Sequence, residues 1–455
     1  MASPGMSLRL EHITGLRFWL CLWITLFHIA RSPDPDPKPA DAIDEPLPWW
    51  FYELGRRLMD ESHVHMGVST FVALSGFVTQ RAYGSKPLDC GRPLLEWYVR
   101  RLDRVVFTTW VTMLVDLVFF MILMNPGKFQ PEKRGEIVTS FFFLSSWFAP
   151  SEDSPYAIPN FPSWAIGAAF IPSWLIYPFT TQRLLSGRRS HEIAAALAIS
   201  YMAAVLPELY LFATQATVDD YTATVLYVFP ARWLFPFFFG AASSEALSSW
   251  AARNEGKGGV GSGSVGTGLG LTAERAKETT PLQAGLLSAS SSSGRYDTWG
   301  VIADLCVVGY VSLLCFTPGG SRIENVTEAG VPITVPMHDT YSLLYLHGTL
   351  PLVGLYLVAS CASPSRGLFA SLCAHPACVA LGMYTFEVYL FAVPIFHLIG
   401  FHSTKHHLPT IGVLVLVWTV AGVYAEFVQN PFTAWVRRKI SRPAEGPYPS
   451  QGSGV

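Results

Sequence analysis

Apolar residues in this chain gather in long uninterrupted runs, such as LRFWLCLWITLFHIA (16–30) and VVFTTWVTMLVDLVFFMILM (105–124). Neither the period-2 alternation of a half-buried strand nor the narrow stripe of a soluble helix describes them. Crossing a bilayer as a helix takes about 20 mostly apolar residues. Segments close to that length fall at 14–30, 65–82, 104–124, 164–182, 191–209, 222–248, 298–317, 339–360, 379–400 and 409–429. The pattern predicts an all-α, polytopic membrane helical bundle of about ten transmembrane helices. The run IVTSFFFLSSWF (137–148) is too short to span and reads as a re-entrant or interfacial piece. The first apolar helix ends in Phe27-His28-Ile29 with no small-residue cleavage site, so it reads as a retained helix rather than a signal peptide.

The polar stretches divide the chain. Residues 251–297 are rich in Gly and Ser and nearly free of aromatics, too poor in apolar surface to offset their ordering entropy. They read as a disordered cytosolic linker between a first six-helix part (8–250) and the last four helices (298–435) of one domain. The linker has no GxxxxGK[ST] pattern, and the tail 436–455 also reads as disordered. With both termini cytosolic, roughly 21 basic residues fall inside and roughly nine outside, which satisfies the positive-inside rule. This orientation puts His28 near the exoplasmic face and the Arg100–Arg104 region near the cytosol, in a plasma membrane or endomembrane. It also places the sequon Asn325-Val326-Thr327 in an exoplasmic loop.

Composition agrees with a membrane class. Only 14% of the 455 residues are charged and half are hydrophobic, against about 25% charged in a typical soluble domain. A net charge of −2 gives no basis for nucleic acid as a partner. The seven cysteines are odd in number and irregular in spacing, which argues against a disulfide framework or a zinc site, and no metal is expected.

Against this apolar background a few polar residues carry candidate chemistry. His28 ends the first helix, eleven residues after Arg17, or ~16 Å along the axis. A neutral imidazole there can take a proton from a hydroxyl near pH 7. Arg100, Arg101 and Arg104 lie between the second and third segments, and Arg100 and Arg104 share a helix face. Guanidinium groups suit bidentate phosphate recognition, although cytosolic arginines also serve topology alone. Ser75-Gly76 in FVALSGFV points to close backbone approach rather than to a nucleophile. His63 and His65, an i, i+2 pair, would diverge on a helix. Asp116, Arg232, Asp304 and Glu387 lie inside apolar segments and should pair within the bundle, Arg232 with Asp304 or Glu387 among the options.

Several stretches match one family in order. Leu16-Arg17 and Phe27-His28 lie on the first helix, and Phe71, Leu74, Ser75, Gly76 and Phe77 on the second. Tyr98 to Arg104 and then Asn160 to Ile166 with Tyr177-Pro178 follow. Leu381-Gly382, Tyr384, Tyr389-Leu390, Glu426 and Pro431-Phe432 close the series. Together these resemble the acyltransferase 3 family of integral membrane acyltransferases, from about residue 8 to 435 without the linker. The resemblance implies transfer of an acyl group, usually acetyl, from acetyl-CoA to a hydroxyl of a sugar or related acceptor. His28 inherits the catalytic role, and Arg101 and Arg104, with Arg100 a looser match, the donor-binding role. Acetyl-CoA is a co-substrate, and no permanently bound cofactor is implied. Arg17, Ser75, Gly76, Trp164, Arg232 and Glu387 are expected to support or pack the site. The chain departs from the family pattern at Ala169, where a glutamate is usual, and at Ala392, where a histidine is frequent. These departures leave three options: a different pocket, compensation by Glu387, or a catalytically degenerate relative. The intramembrane charges keep a proton-coupled transporter or exporter as a further alternative.

Overall fold

The structure is a computed structural model and describes residues 10–30, 61–86, 88, 90–124, 134–148, 162–215, 217–258, 297–316, 321–328, 331–339, 344–363, 366–399 and 410–441. The first helices are α1 (Glu11–Ala30), α2 (Glu61–Tyr83) and α3 (Gly91–Val115), the last continuing as a π-helical stretch, Asp116–Met124. A short α4 (Arg134–Phe141) follows, then α5, a nearly continuous run over 163–185, and α6 (Ser190–Thr214). Strand β1 (Thr217–Asp219), α7 (Asp220–Val228) and α8 (Pro230–Gly258) close the first part. The second part holds α9 (Thr298–Phe316), β2 (Ser321–Glu328), β3 (Val331–Asp339), α10 (Leu350–Ala362) and α11 (Leu368–Cys373). The chain then forms α12 (Pro376–Gly382), α13 (Thr385–Leu398), and α14 (Thr410–Tyr424), which runs through a π-helical turn, Ala425–Gln429, into α15 (Asn430–Ser441).

The architecture is predominantly helical, and helix occupies each predicted apolar segment. By length and composition, three described helical stretches can cross a membrane: Ser190–Thr214, Thr298–Cys315 and Ile411–Ile440. The bent pair α12–α13, with 62° between its parts, makes a fourth if it is one span. Their outward sides are apolar: Ile199, Leu206 and Tyr210 on α6 and Leu305 on α9 are exposed. An apolar exterior of this kind suits lipid rather than water.

A small sheet accompanies the helices. β3 pairs antiparallel with both β1 and β2, in the order β1-β3-β2, with Asn325 opposite Thr334. The hairpin lies in the predicted loop between the seventh and eighth segments, where the β-branched residues of VPITVPM favour a strand, and the longer helix of the eighth segment begins at Leu350. α8 also continues through Gly258, eight residues into the stretch read as linker; residues 259–296 and 442–455 lie outside the described residues. The short run 137–148 forms the end of α4 and a turn with Phe142, Trp147 and Phe148 exposed.

Close helix crossings follow from glycines. A Cβ on Gly76 would strike the Phe237 carbonyl oxygen, and one on Gly240 the Ala73 carbonyl oxygen, so α2 and α8 meet backbone to backbone. Gly382 likewise lies against the Thr14 carbonyl and brings α12 to α1. In α5, Pro172 follows one π-helical stretch, Ile166–Phe170, and Pro178 sits inside another, Tyr177–Thr181. Each proline lacks an amide hydrogen and crowds the carbonyl four residues back, and a widened turn relieves both defects.

Candidate functional site

α1, α2, α3, α5, α13 and the α14–α15 junction enclose a cavity of about 550 Å³. Thr14, Arg17 and Ile24 of α1 line it. With Cys21 and His28 they fall on one stripe of the helix, because steps of three and four residues keep one face. His28 is not among the lining residues. It stands one turn beyond Ile24, half-buried, its ring edge-on to Phe27 at 5.3 Å. The described cavity therefore reaches to ~6 Å of axial rise from His28.

Five arginines line this space: Arg17, Arg100, Arg101, Arg104 and Arg437. Three of them have carboxylate partners. Arg104 grips Glu387 with two parallel bonds, Nε to Oε1 at 2.6 Å and Nη2 to Oε2 at 2.7 Å, and gives a third to the Met383 carbonyl at 3.0 Å. Glu387 is fully buried in the first turn of α13, and Met383 lies at the α12–α13 break, where carbonyls are left over. Arg100 pairs with Glu96 at 3.1 Å, and Arg437 pairs through Nε with Asp103 at 3.4 Å. Burial raises the Asp103 carboxyl above the ordinary aspartate range, opposed by the Arg104 amide and by Arg437.

Arg17 and Arg101 have no such partner among the described residues. Arg17 lies near enough to Arg101 and Arg104 to feel their repulsion. Arg101 is held by aromatic faces instead, 4.8 Å from the Trp97 ring centre, 5.4 Å from Tyr83 and 6.0 Å from Trp174. Cation–π contact fixes a guanidinium without neutralising it. Trp174 also donates to the Ser75 hydroxyl at 3.3 Å, which places Ser75 on the cavity wall, while Gly76 serves the helix crossing. Glu426 also lines the cavity, near enough to Arg104 to act on its charge, and accepts from Tyr384 at 2.8 Å and from Asn430 at 3.1 Å.

Other expected residues lie elsewhere. Trp164 is buried against Tyr227 and Trp233, away from the cavity lining. Ala169 is buried among apolar neighbours. Arg232 pairs with neither Asp304 nor Glu387, as the sequence left open, but with buried Glu208, and it donates to His347 Nε2 at 3.1 Å. Asp304 instead caps α11 by accepting from the amides of Leu368 and Phe369. His347 in turn bonds Ser69 at 2.9 Å. This cluster has the residue types of a Ser–His–acid site but the wrong polarity. Arg232 has only hydrogens to give, so His347 Nε2 accepts, Nδ1 carries the proton, and the ring cannot act as base toward Ser69. Asp116, at the start of the π-helical stretch, bonds His397 Nδ1 at 2.6 Å. No group of three His, Cys, Asp or Glu suited to a metal occurs among the described residues. His65 stacks on Tyr227 at 3.7 Å.

Sequence reasoning missed the aromatic cage of Arg101, the contribution of Arg437, and the Glu208 and His397 partners. Nothing local marks Arg437, because only the fold of α15 onto α3 brings it to the cavity. A family model described as an acyltransferase domain matches residues 10–425. No curated protein and no solved structure matches the chain.

Proposed function

The chain belongs to the acyltransferase 3 family, and from that premise we propose that it is a multi-pass membrane O-acyltransferase using acyl-CoA, most simply acetyl-CoA, and a hydroxyl-bearing acceptor such as a sugar. One observation carries the donor assignment. Arg17 and Arg101 are two cations in one half-enclosed cavity with no carboxylate partner among the described residues, and such a pair is costly unless an anion joins them. A diphosphate has the charge and the oxygen geometry that guanidinium forks bind best. The three paired arginines shape the wall, and Arg104 is held back from the ligand by Glu387. The pantetheine arm then lies along the apolar stretch formed by Ile24, Val68, Phe71 and Ile166 toward His28.

At that end His28 takes the proton of the acceptor hydroxyl as its oxygen attacks the thioester carbonyl. The tetrahedral intermediate collapses, the C–S bond breaks, and CoA leaves as thiol after protonation by the imidazolium. With about ten spans and both termini cytosolic, the donor enters from the cytosol and the acyl group emerges near the exoplasmic side, in a plasma membrane or endomembrane. Of the intramembrane charges behind the transporter alternative, Glu387, Arg232, Asp116 and Asp304 each have a partner within the bundle, which favours a structural use for them.

The test is turnover by His28→Ala. We expect acetyl transfer to fall by at least about 10²-fold, the usual contribution of a general base, while acetyl-CoA affinity stays within about twofold. Normal transfer by that variant would remove His28 from the mechanism.

A further inference from the structure

Beside the main cavity lies a smaller notch of about 170 Å³, lined by Glu96, Val99, Arg100, Arg437 and Ile440. Arg100 and Arg437 line both spaces and form their shared wall. Two cationic tiers result. The inner tier, Arg17 and Arg101, lies inside the cavity. The outer tier, Arg100 and Arg437, stands at the rim with side chains 51% and 49% exposed. Adjacent residues on a helix point ~100° apart, so Arg100 and Arg101 can address two separate anionic groups.

The outer arginines are held but not used up. Arg437 spends Nε on Asp103, and its terminal amino groups hydrogen-bond to no described residue. Arg100 spends one amino group on Glu96, which Arg92 also contacts at 3.0 Å.

Resting on the acyl-CoA reading, the geometry points to the notch as a subsite for the ribose 3′-phosphate of the donor, held by Arg100 and Arg437 while Arg17 and Arg101 hold the diphosphate. The ligand class matches the layout: one nucleotide carries a diphosphate on one side of the ribose and a phosphate monoester on the other. Guanidiniums oriented through one edge by a carboxylate present their remaining hydrogens at little further entropic cost. Arg437 and Arg100 would then be specificity residues that distinguish CoA from its dephosphorylated form.

The experiment compares acetyl-CoA with acetyl-3′-dephospho-CoA by titration of the purified full-length protein. The wild type should bind acetyl-CoA about tenfold or more tightly, the scale of a charge-assisted contact. Arg437→Gln should lose that preference by weakening acetyl-CoA alone. Equal binding of the two donors by the wild type would overturn the subsite and leave the acyl-CoA reading intact; a notch occupied by a lipid headgroup gives this result. Discrimination that survives in an Arg100→Gln/Arg437→Gln protein would overturn the assignment to these residues. Binding of neither donor to folded protein would defeat both readings.

Discussion

Arg101 is pinned by three aromatic rings and by no carboxylate among the described residues, and this makes it the most informative single residue. Arg101→Lys keeps the charge but loses the planar face that stacks and the fork that grips phosphate. We expect acetyl-CoA affinity to drop about tenfold by calorimetry; an unchanged affinity would mean the cage is only packing. Glu387 offers the complementary case. Glu387→Gln leaves Arg104 without its buried counter-charge, and since Arg104 is partly exposed we expect a modest loss, about 1–2 kcal/mol. A chemical-denaturation series in detergent reads it, and no loss would mean that solvent already screens the pair. The arginines after α2 and the histidine of α1 were legible as residue types in the sequence. Their partners and neighbours were not, because Glu387 and Arg437 come from helices far along the chain.

At the scale of elements, apolar run length located the helices well and their irregularities poorly. The prolines of α5 announced trouble, but the widened turns that absorb it depend on neighbours. The β2–β3 hairpin was read as a loop between two apolar segments, since a short run of β-branched residues broken by prolines carries little strand signal of its own. The Ser75-Gly76 pair was legible, because a glycine within an apolar helix has few uses other than close approach. Gly76→Ala should drive a methyl group into the Phe237 carbonyl. We expect a cost of about 1–3 kcal/mol, as for other overpacking changes, seen as a lower Tm. An unaltered Tm would show that α2 and α8 do not cross so closely.

At the scale of the molecule, the polar groups fall at two depths. Arg17, Arg104 and Glu387 mark one. His28, Asp116 and His397 lie eleven, twelve and ten residues further along their helices, or ~15–18 Å in rise. An extended thioester donor suits that separation, with its phosphates at the arginine level and its acyl group near the imidazole. The first-helix part of this layout was visible in the spacing of Arg17 and His28. The matching depths on the other helices required the bundle.

The measurement closest to the central claim is a titration of acetyl-CoA against the purified protein and its Arg17→Gln/Arg101→Gln variant, followed by thermal shift. We expect dose-dependent stabilisation of the wild type, and at least about 100-fold weaker binding by a variant whose ligand-free Tm is retained. Equal stabilisation of both proteins, or none in a folded wild type, would contradict that claim.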